Sequence, residues 1–526
     1  MPIVTTYPGV YIEEIPSGVR TIIGVSTSIT AFVGRALKGP TNEPVIIHSF
    51  GDYERIFGGL WVKSTMSYAV QQYFLNGGTD GVIVRLTKDD VRSEFELPPE
   101  SGNLKLLLEA KSEGAWGSNL QISIDHDTRD LTDNEKENLE QKIFNIAIEM
   151  VNPSNKKQIL SKEAFLNVTL DPDDSRFIGK ILSQESNLVQ IPDPYTGGST
   201  NFPSIRPAET SDPISPSTAG KDGDELTYVE YEGSENEKTG IYALKKTDIF
   251  NIMCIPPFTP SEDVASSTWA AALTLCKEKR AFLLIDPPSN WSSIALAKEG
   301  SKSLRNNLGF PDYAAIYFPR IKMADPLKEN RLEEFVPCGV VAGIYARTDA
   351  QRGIWKAPAG TDTAMAGVHE LKIRLTDGEN GELNPLGINC LRNFPVVGNI
   401  VWGARTLAGA DRMASEWKYI PVRRLALYIE ESLYRGTQWI VFEPNDEPLW
   451  SQIRLNVGAF MSGLFRQGAF QGRTPREAYF VKCDKETTTQ ADINQGIVNI
   501  LVGFAPLKPA EFVIIKIQQM AGEIQT

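Results

Sequence analysis

The chain has 526 residues, 41% of them apolar, with 33 prolines and 42 glycines, which is enough for about three packed domains. A formal net charge of -13 and a pI near 5.0 exclude the nonspecific grip on nucleic acid that a basic surface gains by displacing counterions. The five cysteines, Cys254, Cys276, Cys338, Cys390 and Cys483, lie far apart and form no CxxC pair, so neither a disulfide framework nor a zinc site is expected, only buried small apolar side chains.

Residues 1–20 read as an N-terminal strand arm. Met1 to Thr5 lack the basic and apolar regions of an export signal, which points to folding in the cytoplasm, and no apolar run reaches the roughly 20 residues that span a bilayer. Tyr7-Pro8-Gly9 then breaks the chain, and Val10, Tyr11 and Ile12 begin an alternating run to Ile15 with no hairpin partner nearby. Residues 21–88 read as the first part of an α/β domain. It has an apolar strand at Thr30 to Gly34, a helical pattern from Ser64 to Leu75, a turn at Asn76-Gly77-Gly78 and a strand at Gly81 to Arg85. Residues 89–238 change character. Short alternating segments, such as Phe144 to Ile148 and Phe165 to Val168, predict a β-rich insertion domain, and the Pro/Ser/Gly/Thr-rich stretch 192–223 predicts a mobile tether.

The α/β rhythm resumes over 239–394, where apolar strands at Ile249 to Met253, Ala281 to Asp286 and Ala314 to Phe318 alternate with helices, as in a parallel sheet covered on both faces. Residues 395–505 predict a small α+β C-terminal domain. Val422 to Arg435 is amphipathic, and Asp446-Glu447-Pro448 opens a helix whose Leu449, Ile453, Val457, Phe460 and Leu464 share one face. Strands follow at Glu477 to Lys482 and Gly496 to Val502. Residues 506–526 read as a second arm: Pro506 and Pro509 stiffen a spacer before Phe512, Val513, Ile514 and Ile515, a β-branched run again without a local partner. Unpaired strands recruit a sheet edge, often on another molecule. Charge is uneven as well. Basic and acidic residues nearly balance after Pro395, and within 454–482 the side chains of Arg454, Arg466, Arg473, Arg476 and Lys482 are opposed only by Glu477. This strip reads as a match for an acidic partner or, equally, as a solvated helix face held by salt bridges.

Catalytic patterns fail one by one. His369-Glu370 begins like a zincin motif, but Ile373 stands where the second histidine belongs. Gly360 to Ala366 faintly resembles the segment around a subtilase nucleophile, yet no serine precedes Met365. His126 sits between Asp125 and Asp127 in a charged loop, the ordinary setting of a solvated turn, and no glycine-rich phosphate loop is present. No catalytic, cofactor-binding or metal-ligating residues are expected.

The strings Tyr7-Pro8-Gly9-Val10-Tyr11-Ile12-Glu13-Glu14, Gly343-Ile344-Tyr345-Ala346-Arg347-Thr348-Asp349, Gly353-Ile354-Trp355-Lys356-Ala357-Pro358-Ala359, Trp402-Gly403-Ala404-Arg405-Thr406-Leu407, Tyr419-Ile420-Pro421-Val422-Arg423-Arg424 and Phe442-Glu443-Pro444-Asn445 carry a family likeness. In them the chain resembles the tail sheath proteins of contractile phage tails and contractile injection systems. The likeness spans about residues 1–60 and 335–526, is weaker through the α/β middle and is negligible in the insertion. It implies a homo-oligomer of stacked rings in a helical sheath around an inner tube protein, with baseplate and tail terminator or cap proteins as further partners. Contraction would drive the tube through a target envelope, without nucleic-acid binding or direct membrane insertion. It also implies a subtilisin-like α/β middle domain without catalytic residues, and arms that add strands to neighbouring C-terminal domains. Arg466, Arg473, Arg476 and Lys482 are then candidates to face the tube. The particle would be a phage tail or a phage tail-like particle made in bacterial cytoplasm. Two rivals, a secreted subtilase-like hydrolase and a strand-donating surface fibre subunit, each require an export signal, and the first also needs a competent nucleophile.

Overall fold

The computed structural model describes residues 20–192 and 202–517. Val10, Tyr11 and Ile12 of the expected N-terminal arm lie outside the described residues.

Eight strands form the central sheet, in the spatial order Gly398–Trp402, Ile388–Phe394, Ala314–Phe318, Phe282–Ile285, Ile252–Cys254, Thr30–Gly34, Gly81–Arg85, Val45–Ile47. The inner pairs are parallel, with Thr30 opposite Ile252 and Leu283 opposite Ala314, and the two outermost strands run antiparallel to their neighbours. Thr30–Gly34, Gly81–Arg85 and Ala314–Phe318 are buried along their whole length, as expected of strands covered on both faces. Strands on either side of the insertion therefore share one sheet, since Thr30–Gly34 pairs with both Gly81–Arg85 and Ile252–Cys254.

The Thr65–Leu75 helix starts at Ser64, whose hydroxyl accepts from the Ser67 amide. It packs against the Cys338–Arg352 helix at close range. A Cβ at Gly339 would stand 2.1 Å from the Ala69 carbonyl oxygen, and one at Gly343 would stand 2.5 Å from that of Tyr73, so only glycine fits at these contacts.

The insertion contains two three-stranded antiparallel sheets. One holds Glu94–Leu97, Leu106–Ala110 and Val189–Gln190, the other Leu120–Asp125, Ile143–Asn152 and Asn155–Thr169. Phe95, Trp116, Phe144 and Ile146 belong to a core of its own. The expectation of a mobile tether at 192–223 fails over its described part. Pro207, Ile214, Thr218 and Lys221 form β-bridges to Pro99, Ile122, Glu94 and Val91, so backbone pairing ties down a segment whose composition suggested looseness.

A third core belongs to the C-terminal unit, where Leu425 and Ile429 of the Ile420–Gly436 helix meet Leu449, Ile453, Val457 and Leu464 of the Glu447–Arg466 helix. Asp446 caps the latter helix, and Phe460 of the expected stripe packs against the same core. A buried ion pair joins this unit to the sheet domain. Arg424 donates through Nη1 and Nη2 to Asp349 at 2.9 and 2.6 Å, and through Nη2 to the Thr27 carbonyl at 3.0 Å, while stacking over Tyr345. The side chains are only 3% and 4% exposed. Arg424→Ala leaves Asp349 buried without its cation and is expected to cost about 3–5 kcal/mol in urea unfolding of the protomer, with Arg424→Lys recovering only part because the fork is lost.

Asp286, at the end of the Phe282–Ile285 strand, is buried. Its Oδ1 accepts from the Cys338 amide at 3.0 Å, and Oδ2 has no partner among the described residues. Burial pushes its carboxyl up to about 7, against the opposing pull of the Cys338 hydrogen bonds and the Arg320 charge. With the folded value above the unfolded one, the native state holds this proton more tightly. Its stabilising effect is complete below about pH 4 and is lost as pH rises towards 7. Asp286→Asn is expected to flatten that slope and to raise stability at pH 8 by about 2–4 kcal/mol, read from melting curves across pH.

Candidate functional site

Enzyme-like chemistry finds little support in the side-chain geometry. His48 Nδ1 pairs with Asp80 on an exposed surface, and His126 Nε2 faces the Pro207 carbonyl. In the Gly360 to Ala366 segment the Thr363 hydroxyl is committed to the carbonyls of Gly360 and Val401. All five cysteines are buried, and burial raises their thiols, that of Cys390 to about 12 and that of Cys483 to about 11. Among the described residues no group of three His, Cys, Asp or Glu side chains could hold a metal, and no helix is long and apolar enough to cross a membrane. A crevice of about 670 Å³ between Asp248, Glu278, Arg280, Glu431 and Arg435 holds ion pairs rather than free charges. Arg435 bonds Asp248 and Glu431, and Arg280 bonds Glu431.

The unfinished part of the molecule is the C-terminal hairpin. Tyr479–Lys482 and Leu501–Phe504 pair antiparallel, with Tyr479 opposite Phe504, as a sheet of only two strands among the described residues. Phe480 and Leu501 are exposed on it. A hairpin this small is marginal by itself and gains from further strands. Arg20, the first described residue, packs on the same C-terminal unit. The Arg20 amide donates to Asn456 Oδ1 on the Glu447–Arg466 helix at 3.0 Å, and the Arg20 guanidinium lies 4.6 Å from the Trp439 ring centre. At the other end, Phe512, Val513, Ile514, Ile515 and Ile517 are 74–92% exposed, and residues 511–517 join no ladder.

The four basic candidates differ from one another. Arg466 is exposed in the last turn of its helix, and Arg473 and Arg476 are exposed in the following turn and in the short Pro475–Ala478 helix. Among the described residues these three arginines form no ion pair, although the Arg473 amide donates to Glu477. Lys482, by contrast, is paired with Glu486, and Arg454 with Glu447. Glu486 lies just outside the window in which the strip was read, so three arginines remain as unpaired charge.

Composition did not reveal the ionic contacts that hold this region together. Arg405 grips Glu511, and Arg424 grips Asp349. Their signal in the sequence was an arginine inside a distinctive string and, for Glu511, an acid directly before an apolar run.

The family model for the phage tail sheath protein central domain matches residues 235–407, and that for the phage tail sheath C-terminal domain matches residues 413–520, together more than half of the chain. The chain belongs to the phage tail sheath family. It is 27% identical over 190 residues to the tail sheath protein of Vibrio phage KVP40, a match covering 35% of this chain and 27% of that protein. It is 26% identical over 213 residues to the tail sheath protein of Enterobacteria phage T4, covering 40% and 30% respectively. The chain thus spans about a third or less of these two relatives. In fold it is similar to the anti-feeding prophage helical sheath in its contracted state, with a TM-score of 0.57 at 24% identity, covering 98% of this chain and 100% of that one.

Proposed function

We propose that the chain is the structural subunit of a contractile tail sheath, polymerising around an inner tube and contracting to drive that tube through a target envelope. The observation that carries this reading is the two-stranded hairpin followed by an exposed apolar segment, Phe512 to Ile517. A subunit that lends its arms and receives those of its neighbours completes each hairpin with strands from other copies. Rings of such copies become one connected mesh. Backbone pairing suits the task because it is largely independent of sequence, while Val10, Ile12, Phe512 and Ile514 fill pockets and set register. Contraction then repacks outer surfaces while the mesh holds.

In this reading the middle α/β domain has a subtilisin-like layout without catalysis, consistent with a Thr363 hydroxyl tied to carbonyls. On the same reading the insertion at 89–238 interrupts the sheet domain, and the C-terminal domain, expected over 395–505 but begun only after the Gly398–Trp402 strand of the central sheet, faces the tube. The subunit is made in bacterial cytoplasm and meets a baseplate at one end and a terminator or cap at the other. Arg466, Arg473 and Arg476 meet acidic residues of the tube, each exposed pair worth about 0.2–1 kcal/mol, weak singly but strong over many copies and still breakable on triggering. Lys482, held by Glu486, contributes less.

Deleting residues 1–15 is expected to leave a folded protomer, with an unchanged melting curve, that forms no sheath in negative-stain images. Normal sheaths from that variant would remove the strand-donation account. Reversing Arg473 and Arg476 to Glu together should impair assembly of extended sheath on tube, measured by co-sedimentation, and unchanged assembly counts against the tube contact.

A further inference from the structure

We infer that Arg405 and Glu511 form the anchor that fixes the root and exit direction of the C-terminal arm, a positioning role that rests on the strand-donation reading above. The backbone of this segment is held only as far as Pro506. Ala505 donates to the Ala478 carbonyl at 2.8 Å and accepts from the Gln471 amide at 2.9 Å, and Pro506 bridges Phe470. From Leu507 to Ile517 no backbone-to-backbone hydrogen bond is made among the described residues. Between Leu507 and Phe512 the chain borders a crevice of about 670 Å³ whose other walls include Trp355, Lys356 and Trp402, so dense packing does not hold this strap.

Glu511 holds it instead. Its Oε1 accepts from Arg405 Nε at 2.7 Å, and its Oε2 accepts from Arg405 Nη2 at 2.6 Å and from the Tyr419 hydroxyl at 3.2 Å. Arg405 is itself immobilised. Its side chain is 1% exposed, and its Nη1 donates to the carbonyls of Asn384 and Gly409 and to Asp411 Oδ1. The Asn389 side chain bonds both the amide and the carbonyl of Arg405, each at 2.7 Å. A two-pronged guanidinium–carboxylate contact fixes direction as well as distance. The exposed apolar run begins at the very next residue. The Trp402-Gly403-Ala404-Arg405 string thereby acquires a purpose: it carries a socket for the arm, attached to the sheet domain rather than to the hairpin. Pinning the root there, with Pro506 and Pro509 limiting the spacer, reduces the volume the arm searches and so raises its effective concentration at a neighbouring edge.

The test uses the full-length chain carrying spin labels at Ala510→Cys and Ser451→Cys, the native thiols being buried. With Glu511 in place the distance distribution between the labels is expected to be narrow, and Glu511→Gln is expected to broaden it. Glu511 lies outside every helix and strand, and an unchanged melting curve for the variant separates a loosened arm from a lost fold. In assembly, Glu511→Gln should raise the protomer concentration needed for sheath by about tenfold, the loss expected for one charged contact. A chain ending at Glu511 is the companion variant. If it assembles like the intact chain, strand donation itself fails. If it does not assemble while Glu511→Gln keeps both the narrow distribution and the normal threshold, the anchor alone is overturned.

Discussion

Backbone amides and carbonyls in a sheet need partners, and at the C-terminal hairpin this chain leaves that requirement half met. Four residues per strand, paired only with each other among the described residues, cannot do what the eight-stranded central sheet does for itself. The central sheet covers both faces with helices and ends in antiparallel outer strands. The hairpin has exposed Phe480 and Leu501, and an exposed apolar segment, Phe512 to Ile517, follows it in the chain. Association is the natural way for such a protein to finish its structure.

The rest of the protomer is firmly joined. The Arg424–Asp349 pair, the Arg280, Glu431 and Arg435 network, and Ile22 and Ile354 in the C-terminal core link that unit to the sheet domain at several points. Several signature strings are parts of these joints. Gly343 lets two helices approach, Tyr345 stacks under Arg424 and hydrogen bonds Tyr317, Asp349 receives the arginine fork, and Asn445 accepts from the Trp450 indole at the start of the long helix. Among the described residues these two units are thus held together at several points.

Local patterns in the sequence were informative wherever the physics is local. The 3.6-residue stripe from Leu449 to Leu464 and the Asp446 cap define a helix because both act within a few turns, and the apolar run Thr30 to Gly34 is a buried strand for similar reasons. Non-local chemistry was not legible. Arg405 and Glu511 are separated by 106 residues, and Arg424 and Asp349 by 75, and no periodicity announces such pairs. The described part of the 192–223 stretch, whose composition resembles a linker, instead pairs with partners far back in the chain. At Lys482 a window drawn four residues too short concealed Glu486.

The central claim is that the last strand of one copy completes the hairpin of another. Its most direct test is intermolecular cross-linking in assembled particles formed from two single-substitution chains, one carrying Leu501→Cys and the other Ile514→Cys, treated with a short thiol-reactive linker. Covalent dimers containing one chain of each kind are the predicted product. A cross-link that forms only when both substitutions are placed in the same chain would contradict the account.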